Sequence, residues 1–134
     1  MNTHVFTYGS LMFAEVWQQV VRGRYASVAA MLDGYQRFAV REATYPGILA
    51  SDGTRVDGLV YTGVDADDLA RLDAFEGGLY QRIDAVVTDA QGGAVQVQTY
   101  LCVQPDCLSD QPWLPEAFAL REFLASYCRD KLGS

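Results

Sequence analysis

A pair of β-rich runs joined by a tight turn limits the fold more than any other segment. The runs span residues 80–88 and 94–103, and Ala90-Gln91-Gly92-Gly93 joins them. In the second run Val95 and Val97 lie on one face of an extended chain, whereas glutamines occupy the alternate positions. The pattern predicts an antiparallel hairpin with one buried face. Because an isolated hairpin is marginally stable in water, it must belong to a larger sheet.

The remaining segments are predicted to be short strands and a few helices. Strands are predicted at residues 4–8, 27–32, 36–41, 48–50 and 56–64, and helices at 11–21, 65–76 and from Pro115 onwards. Asp33-Gly34 is typical of a hairpin turn between two of these strands, and Ser51-Asp52-Gly53 of a second turn. Since strands and helices do not alternate strictly, the sequence predicts an α+β fold with a strongly curved or barrel-like sheet.

Length and composition favour one domain that spans residues 1–134. Half of the residues are hydrophobic, which is enough to bury a core, and 20% are charged, which argues against disorder. The net charge of -7 argues against nucleic acid and anionic membranes as partners, because phosphate binding depends on Lys and Arg. An anionic small molecule remains possible, since backbone N–H groups can bind it. The oligomeric state stays open.

Cysteine and histidine are too few and too scattered to predict a metal site. The chain has three cysteines (Cys102, Cys107 and Cys128) and one histidine, His4. Without a C-x-x-C pair, a zinc site is poorly supported, and reduced thiols of a cytosolic protein are the simpler interpretation. The first residues lack a basic segment followed by an apolar one, and no apolar run reaches the roughly 18–20 residues that span a membrane. We therefore expect a cytoplasmic location and no zinc site of the usual Cys/His type.

Glu76 is the strongest candidate for a catalytic residue. Asp65 is a suitable N-cap for the helix at 65–76, and Leu72 and Phe75 belong to its apolar stripe. Glu76 follows Leu72 by four residues, so its carboxylate lies on the apolar side and near the negative end of the helix dipole. Both conditions favour a raised pKa, suited to a general acid or base. A carboxylate that bends into solvent or caps a backbone group is the alternative.

A second candidate is the turn Tyr8-Gly9-Ser10-Leu11, which follows the first predicted strand. Successive N–H groups in such a turn can bind an anion, and Gly9 permits a tight or left-handed backbone. An ordinary strand-to-helix turn is the alternative. The turn is neither a P-loop nor a dinucleotide motif nor a G-x-S-x-G elbow. A triad of Ser10, His4 and an Asp is disfavoured, because His4 precedes Ser10 in the same strand.

For the other side chains that could bind a ligand or react, the sequence gives weaker evidence of a functional role. Tyr45, Tyr80 and Tyr100 can line a pocket or simply pack at the edge of the core. Cys102 lies in a β-run, and packing is a better interpretation than a nucleophilic role. Arg41 and Arg82 are expected on the solvated surface.

Two segments together resemble the gamma-glutamylcyclotransferase-like family, which includes plant avirulence-induced proteins and small bacterial members. They are VFTYGSL at residues 5–11 and LDAFEGGLYQR at residues 72–82, and the Tyr-Pro step at Tyr45-Pro46 also matches. The resemblance covers most of the chain up to about residue 103. It implies a small mixed β-barrel of about six or seven strands, flanked by helices, with a cavity at one end.

The resemblance also implies an activity and a set of site residues. Backbone N–H groups of Tyr8, Gly9, Ser10 and Leu11 would hold the α-carboxylate of a gamma-glutamyl group, and Glu76 would be the acid/base. The reaction would form 5-oxoproline and release a free amine without a metal or organic cofactor. The segment after Leu11 matches neither glutathione-directed nor gamma-glutamylamine-directed members, so the leaving amine stays open. A non-catalytic binding module and an enzyme acting on a different amide are the alternatives.

Overall fold

The computed structural model describes residues 2–41, 43 and 45–115, which form six strands and two α-helices. The strands are β1 (Thr3–Thr7), β2 (Ser27–Val40), β3 (Pro46–Val64), β4 (Tyr80–Asp89), β5 (Ala94–Cys102) and β6 (Leu108–Pro112). The helices are α1 (Ala14–Val20) and α2 (Ala66–Glu76), and short 3₁₀ turns span Ser10–Met12, Gly77–Leu79 and Pro105–Cys107. Within these described ranges, no helix has the length and apolar character needed to cross a membrane. The helix predicted beyond Pro115 lies outside the described residues.

Five of the strands close into a mixed barrel, which confirms the predicted fold class. Neighbouring strands follow the order β3-β1-β5-β4-β2, and an additional pairing between β2 and β3 closes the ring. β1 and β5 are parallel, and the other pairs are antiparallel. The predicted hairpin is β4 and β5, paired from Tyr80↔Cys102 to Thr88↔Ala94. β6 adds to β2 outside the ring.

The hairpin predicted at Asp33-Gly34 is wrong. Residues on either side of it belong to one strand, β2, whose pairing with β3 passes from Asp33↔Arg55 to Tyr35↔Ala50 in a constant direction. Gly34 has a φ of 84°, and the extra residues of β3 between Ala50 and Arg55 bulge there. A glycine with positive φ in a bulge bends a strand without reversing it. The predicted turn at residues 51–53 is likewise part of β3, and the chain reverses between Val40 and Pro46 instead.

The apolar residues form two main clusters, one inside the barrel and one between the barrel and the helices. The interior cluster draws on all five barrel strands: Phe6, Tyr8, Ala30, Leu32, Ile48, Val56, Val60, Val87 and Val97. The second cluster includes Val5, Trp17, Tyr61, Leu72 and Phe75. Val5 and Phe6 face opposite clusters because successive side chains of a strand point to opposite faces.

Helix α2 begins and ends as the sequence predicts. The carboxylate of Asp65 accepts a hydrogen bond of 2.8 Å from the N–H of Asp68, which confirms Asp65 as the N-cap. Leu72 and Phe75 are buried on the inner face of α2, and Gly77 ends the helix with a φ of 74°. α2 is therefore fixed at both ends, and its last residue is Glu76.

Asp68 links α2 to the segment after α1. Its carboxylate, 1% exposed, accepts hydrogen bonds of 2.9 Å from the N–H groups of Arg22 and Gly23 and one of 2.6 Å from the hydroxyl of Tyr25. Arg71 pairs with the same carboxylate. The sequence marked Asp68 only as an acidic residue of the first helical turn, because its three partners in the segment after α1 lie more than 40 positions away.

Replacing Asp68 should destabilise the fold more than replacing the exposed Asp67 in the same helical turn. We expect Asp68→Asn to lower the free energy of unfolding by about 3 kcal/mol, because an amide NH₂ would face buried N–H and O–H donors. The exposed Asp67 in the same turn provides a matched control, and Asp67→Asn should cost less than about 1 kcal/mol. Urea unfolding near neutral pH measures both, and equal losses in the two variants would contradict the assignment.

The contribution of Asp68 should also depend on pH. Burial alone would raise the pKa of its carboxyl, but the hydrogen bonds from Tyr25, Arg22, Gly23 and Arg71 outweigh burial and lower the pKa to about 2. A depressed pKa in the folded state stabilises the fold above the ordinary value of about 4, and this stabilisation disappears as the pH falls to the folded-state value. The difference in unfolding free energy between the parent and Asp68→Asn should shrink across that window. A constant difference would argue against an ionised Asp68.

Candidate functional site

A cavity opens at one end of the barrel, where parts of four strands meet. The end of β5 pairs with the start of β4 at Tyr80↔Cys102, and Pro46 at the start of β3 packs against Gly9, just after β1. The end of α2 and the 3₁₀ turn after β1 complete the rim. The cavity offers about 30 Å³ to the centres of water-sized molecules, and about 410 Å³ of atom-free space when its open mouth is counted. Its lining residues are Phe6, Thr7, Tyr8, Gly9, Ser10, Leu11, Tyr45, Pro46, Phe75, Glu76, Tyr80 and Tyr100.

All eight residues that the sequence singled out lie in this one cavity. They are Tyr8, Gly9, Ser10, Leu11, Tyr45, Glu76, Tyr80 and Tyr100. Their proximity is an observation, whereas their individual roles stay predictions. Among the described lining residues Glu76 supplies the carboxylate, and none is Lys, Arg or His. A ligand in this space therefore meets one acidic side chain, several tyrosine rings and the main chain of the turn.

The turn after β1 is closed by two backbone hydrogen bonds. The N–H groups of Met12 and Phe13 donate to the carbonyl oxygens of Gly9 and Ser10 at 3.0 and 3.1 Å. Gly9 has a φ of -132°, so the left-handed backbone considered from the sequence is wrong. A Cβ at Gly9 would instead lie 2.7 Å from Cδ of Pro46. Glycine is required here because the turn and the start of β3 approach closely.

Glu76 lies at the end of α2, half-buried, and faces several tyrosines. Burial raises the pKa of the Tyr8 phenol, and the nearby charge of Glu76 raises it further. For Tyr45 the causes of the raised pKa are burial, then Cys107, then Glu76. For Tyr100 burial comes first, the carboxylate of Asp73 second, and Glu76 adds to them. These hydroxyls therefore stay protonated at neutral pH, beside the carboxylate of Glu76.

The cavity tyrosines are held by hydrogen bonds to other parts of the fold. The hydroxyl of Tyr8 donates to the carbonyl oxygen of Tyr100, and the hydroxyl of Tyr80 donates to that of Pro46, each at 2.6 Å. The hydroxyl of Tyr100 donates to Oδ1 of Asp73 at 2.7 Å. A phenol has one O–H donor, so a ligand meets the rings and the oxygen lone pairs of these side chains. Each of the three combines core packing with a position in the cavity wall.

Asp73 and Arg82 form a layer behind Tyr100 that the sequence did not reveal. Nη2 of Arg82 lies 3.6 Å from Oδ2 of Asp73, and Arg82 is paired with Tyr100 across β4 and β5. Nη1 of Arg82 is buried and has no hydrogen-bond partner among the described residues, so the expectation of a solvated Arg82 is wrong for that atom. The sequence offered one clue to Asp73: it precedes Glu76 by one helical turn, so the two residues are neighbours on the surface of α2.

The other side chains considered in the sequence analysis lie outside the cavity lining or are not reactive. His4 accepts a hydrogen bond from the N–H of Gly63 at 3.1 Å and does not line the cavity, so a triad with Ser10 is not formed. Burial raises the pKa of the Cys102 thiol, which disfavours its reactive thiolate. Nε of Arg41 donates to the carbonyl oxygen of Leu108 at 3.1 Å. Within the described residues, no group of three His, Cys, Asp or Glu side chains is arranged to hold a metal ion.

The matching family model and the similar relatives indicate the same family. The model of the family described as "Gamma-glutamyl cyclotransferase, AIG2-like" matches residues 5–117. "Protein AIG2 C" of Arabidopsis thaliana is 36% identical over 104 residues, which are 77% of this chain and 63% of that relative, less than two thirds of its length. A solution structure of an Arabidopsis thaliana protein has a TM-score of 0.75 at 28% identity, covering 97% of this chain and 82% of that one.

A solved gamma-glutamyl cyclotransferase shares the fold at lower identity. Its TM-score is 0.72 at 19% identity, and the match covers 98% of this chain and 80% of the other. At this identity the likeness concerns the fold alone.

Adding a methyl group at Gly9 should disturb the turn. We expect Gly9→Ala to lower the free energy of unfolding by about 1–3 kcal/mol, because the new Cβ must displace Pro46 or the turn. Gly78→Ala is the matched control, since a Cβ there meets nothing within 4 Å. The control should stay within about 0.5 kcal/mol of the parent. Chemical denaturation measures both, and equal stability of the two variants would contradict the close approach.

Proposed function

Since the chain belongs to the gamma-glutamyl cyclotransferase, AIG2-like family, we propose that it cyclises a gamma-glutamyl amide or amine. The products are 5-oxoproline and the free amine. The observation that carries this proposal is a single cavity that combines the Tyr8–Leu11 turn with the carboxylate of Glu76. Family membership alone would not assign a reaction, because one fold can support several chemistries.

The Tyr8–Leu11 turn is the proposed binding site of the substrate α-carboxylate. The described lining residues include no cationic side chain, so an anion in the cavity meets backbone N–H and hydroxyl donors instead of a charged side chain. Gly9, Ser10 and Leu11 precede the two N–H groups that close the turn, and all three residues line the cavity. Fixing the carboxylate there would restrict the gamma-glutamyl chain and reduce the entropic cost of ring closure.

Glu76 is the proposed acid/base. The α-amine of the substrate attacks the γ-carbonyl carbon, a C–N bond forms within the five-membered ring, and the C–N bond to the leaving amine breaks. The α-ammonium nitrogen gives up two protons, and the departing amine gains two as it leaves in ammonium form. One carboxylate can carry them in turn, so no proton is consumed overall. The neighbouring phenols support this role, because their raised pKa values keep them from acting as bases at neutral pH.

Tyr45, Tyr80 and Tyr100 are proposed to contact the substrate with their rings and hydroxyl oxygens. Tyr80 and Tyr100 are fixed by their bonds to Pro46 and Asp73, so their rings form a preorganised wall. These rings do not select one leaving amine, because aromatic faces accept both apolar and cationic groups. A cytoplasmic location stays a prediction.

Turnover should require the carboxylate of Glu76. A screen of gamma-glutamyl compounds by mass spectrometry should find one that releases 5-oxoproline. On that compound, Glu76→Gln should lose about 10²–10⁴-fold in kcat, the scale of general acid–base help, since the amide keeps the shape but cannot take up and release a proton at neutral pH. Glu15→Gln on the exposed surface of α1 should retain the parent rate.

The possible results separate the alternatives. Parent-level turnover by a folded Glu76→Gln would exclude Glu76 as the base. Binding of 5-oxoproline without turnover of any compound would favour a binding module, and turnover without 5-oxoproline would indicate a different amide reaction. An acyl group trapped on Ser10 would favour a hydrolase.

The proposed steps use only Glu76 and the main chain, so activity should survive a chelator. We expect the same kcat/KM before and after exhaustive treatment with EDTA. Activity lost on chelation and restored by a divalent metal ion would contradict this mechanism.

A further inference from the structure

Arg37 lies behind the turn that forms one side of the cavity. It belongs to β2, and its Nη1 donates to the carbonyl oxygen of Tyr8 at 2.7 Å and to that of Asp57 at 3.2 Å. Its guanidinium carbon lies 5.2 Å from the ring centroid of Trp113. Arg37 does not line the cavity, although Tyr8 and Gly9 do. The cation therefore contacts the turn from outside the cavity lining.

The peptide group between Tyr8 and Gly9 connects these two sides. It is planar and trans, so its C=O and its N–H point in opposite directions. The C=O accepts the hydrogen bond from Arg37, so the N–H of Gly9 points away from Arg37. We propose that Arg37 is a positioning residue that holds the Gly9 N–H in place for the carboxylate of a ligand. Its use in catalysis rests on the proposed function, whereas the orientation of the N–H does not.

The positive charge of Arg37 gives this arrangement a second effect. A charge-assisted hydrogen bond to the carbonyl polarises the peptide group, and hydrogen bonds in a chain strengthen one another. The Gly9 N–H thereby becomes a better donor to an anion. In a chain of net charge -7, with Glu76 in the same cavity, this charge also offsets the repulsion of an incoming carboxylate.

Arg37 is itself held by elements distant in sequence. β6 pairs with β2 at Phe38↔Pro112, which places Trp113 next to Arg37, and Trp113 is buried. The ring accepts the face of the guanidinium by a cation–π interaction. The carbonyl of Asp57 on β3 fixes the same Nη1. The extra strand outside the barrel therefore contributes to the geometry of the turn.

The test uses Arg37→Met, which removes the charge at similar length, and Arg37→Lys, which keeps the charge without the planar fork. Arg41→Met is the control, since Arg41 adjoins the same strand and donates to a backbone carbonyl away from the turn. L-5-Oxoproline is the binding probe, titrated by calorimetry. We expect its Kd to rise about tenfold or more in Arg37→Met, less in Arg37→Lys, and not in Arg41→Met. With a turned-over substrate, KM should rise in Arg37→Met, and the loss of rate on lowering the pH should occur at the same pH as in the parent.

A second measurement is independent of any ligand. Residual dipolar couplings report the direction of the Gly9 N–H, which should follow the structure in the parent and in Arg41→Met and depart from it in Arg37→Met. Unchanged couplings in Arg37→Met would overturn the proposal. So would an unchanged Kd in Arg37→Met, or an equal rise in Arg41→Met. If the parent bound no 5-oxoproline and turned over no gamma-glutamyl compound, the proposed function would fail, and the couplings would still decide the role of Arg37.

Discussion

Closure of the barrel by the pairing of β2 with β3 is the constraint on which the other features depend. The two strands pair from Ser27↔Tyr61 to Ala39↔Pro46, with a bulge near Gly34 that lets both bend around the barrel. The closed ring places the end of β5 beside the start of β4 and brings the start of β3 against the turn after β1. The cavity exists because the turn after β1, the Tyr45-Pro46 step and the end of α2 meet there. The arrangement of these strands therefore determines where the candidate site lies.

The cavity has a layered construction, in which each inner residue is fixed by one behind it. Tyr100 is fixed by Asp73, which in turn pairs with Arg82. The turn at Tyr8 is fixed by Arg37, and α2, which carries Glu76, is linked to the segment after α1 by Asp68. A site that must orient a flexible substrate needs such support, because small displacements of binding groups cost rate.

The sequence patterns correctly predicted the features that depend only on neighbouring residues. The cap at Asp65, the stop at Gly77 and the place of Glu76 on α2 depend on residues within a few positions, and all three follow from the sequence. The Asp33-Gly34 prediction failed because a positive-φ glycine suits a bulge as well as a hairpin, and only pairing with β3 distinguishes them. The bonds of Asp68 to Arg22, of Asp73 to Tyr100 and of Arg37 to Tyr8 join residues 27 to 46 positions apart, which no periodicity encodes.

The parallel pairing of β1 with β5 has a consequence for the order of folding. The hydroxyl of Thr99 on β5 donates to the carbonyl oxygen of Phe6 on β1, a contact between residues 93 positions apart. During synthesis the first strand leaves the ribosome long before this partner does, and its edge meanwhile offers unpaired N–H and C=O groups to any other chain. β2 and β3 are adjacent in sequence and can associate early, but closing the loop between β1 and β5 must wait. The nascent chain is thus exposed to mispairing until β5 has emerged, and a chaperone that shields β1 would act in that interval.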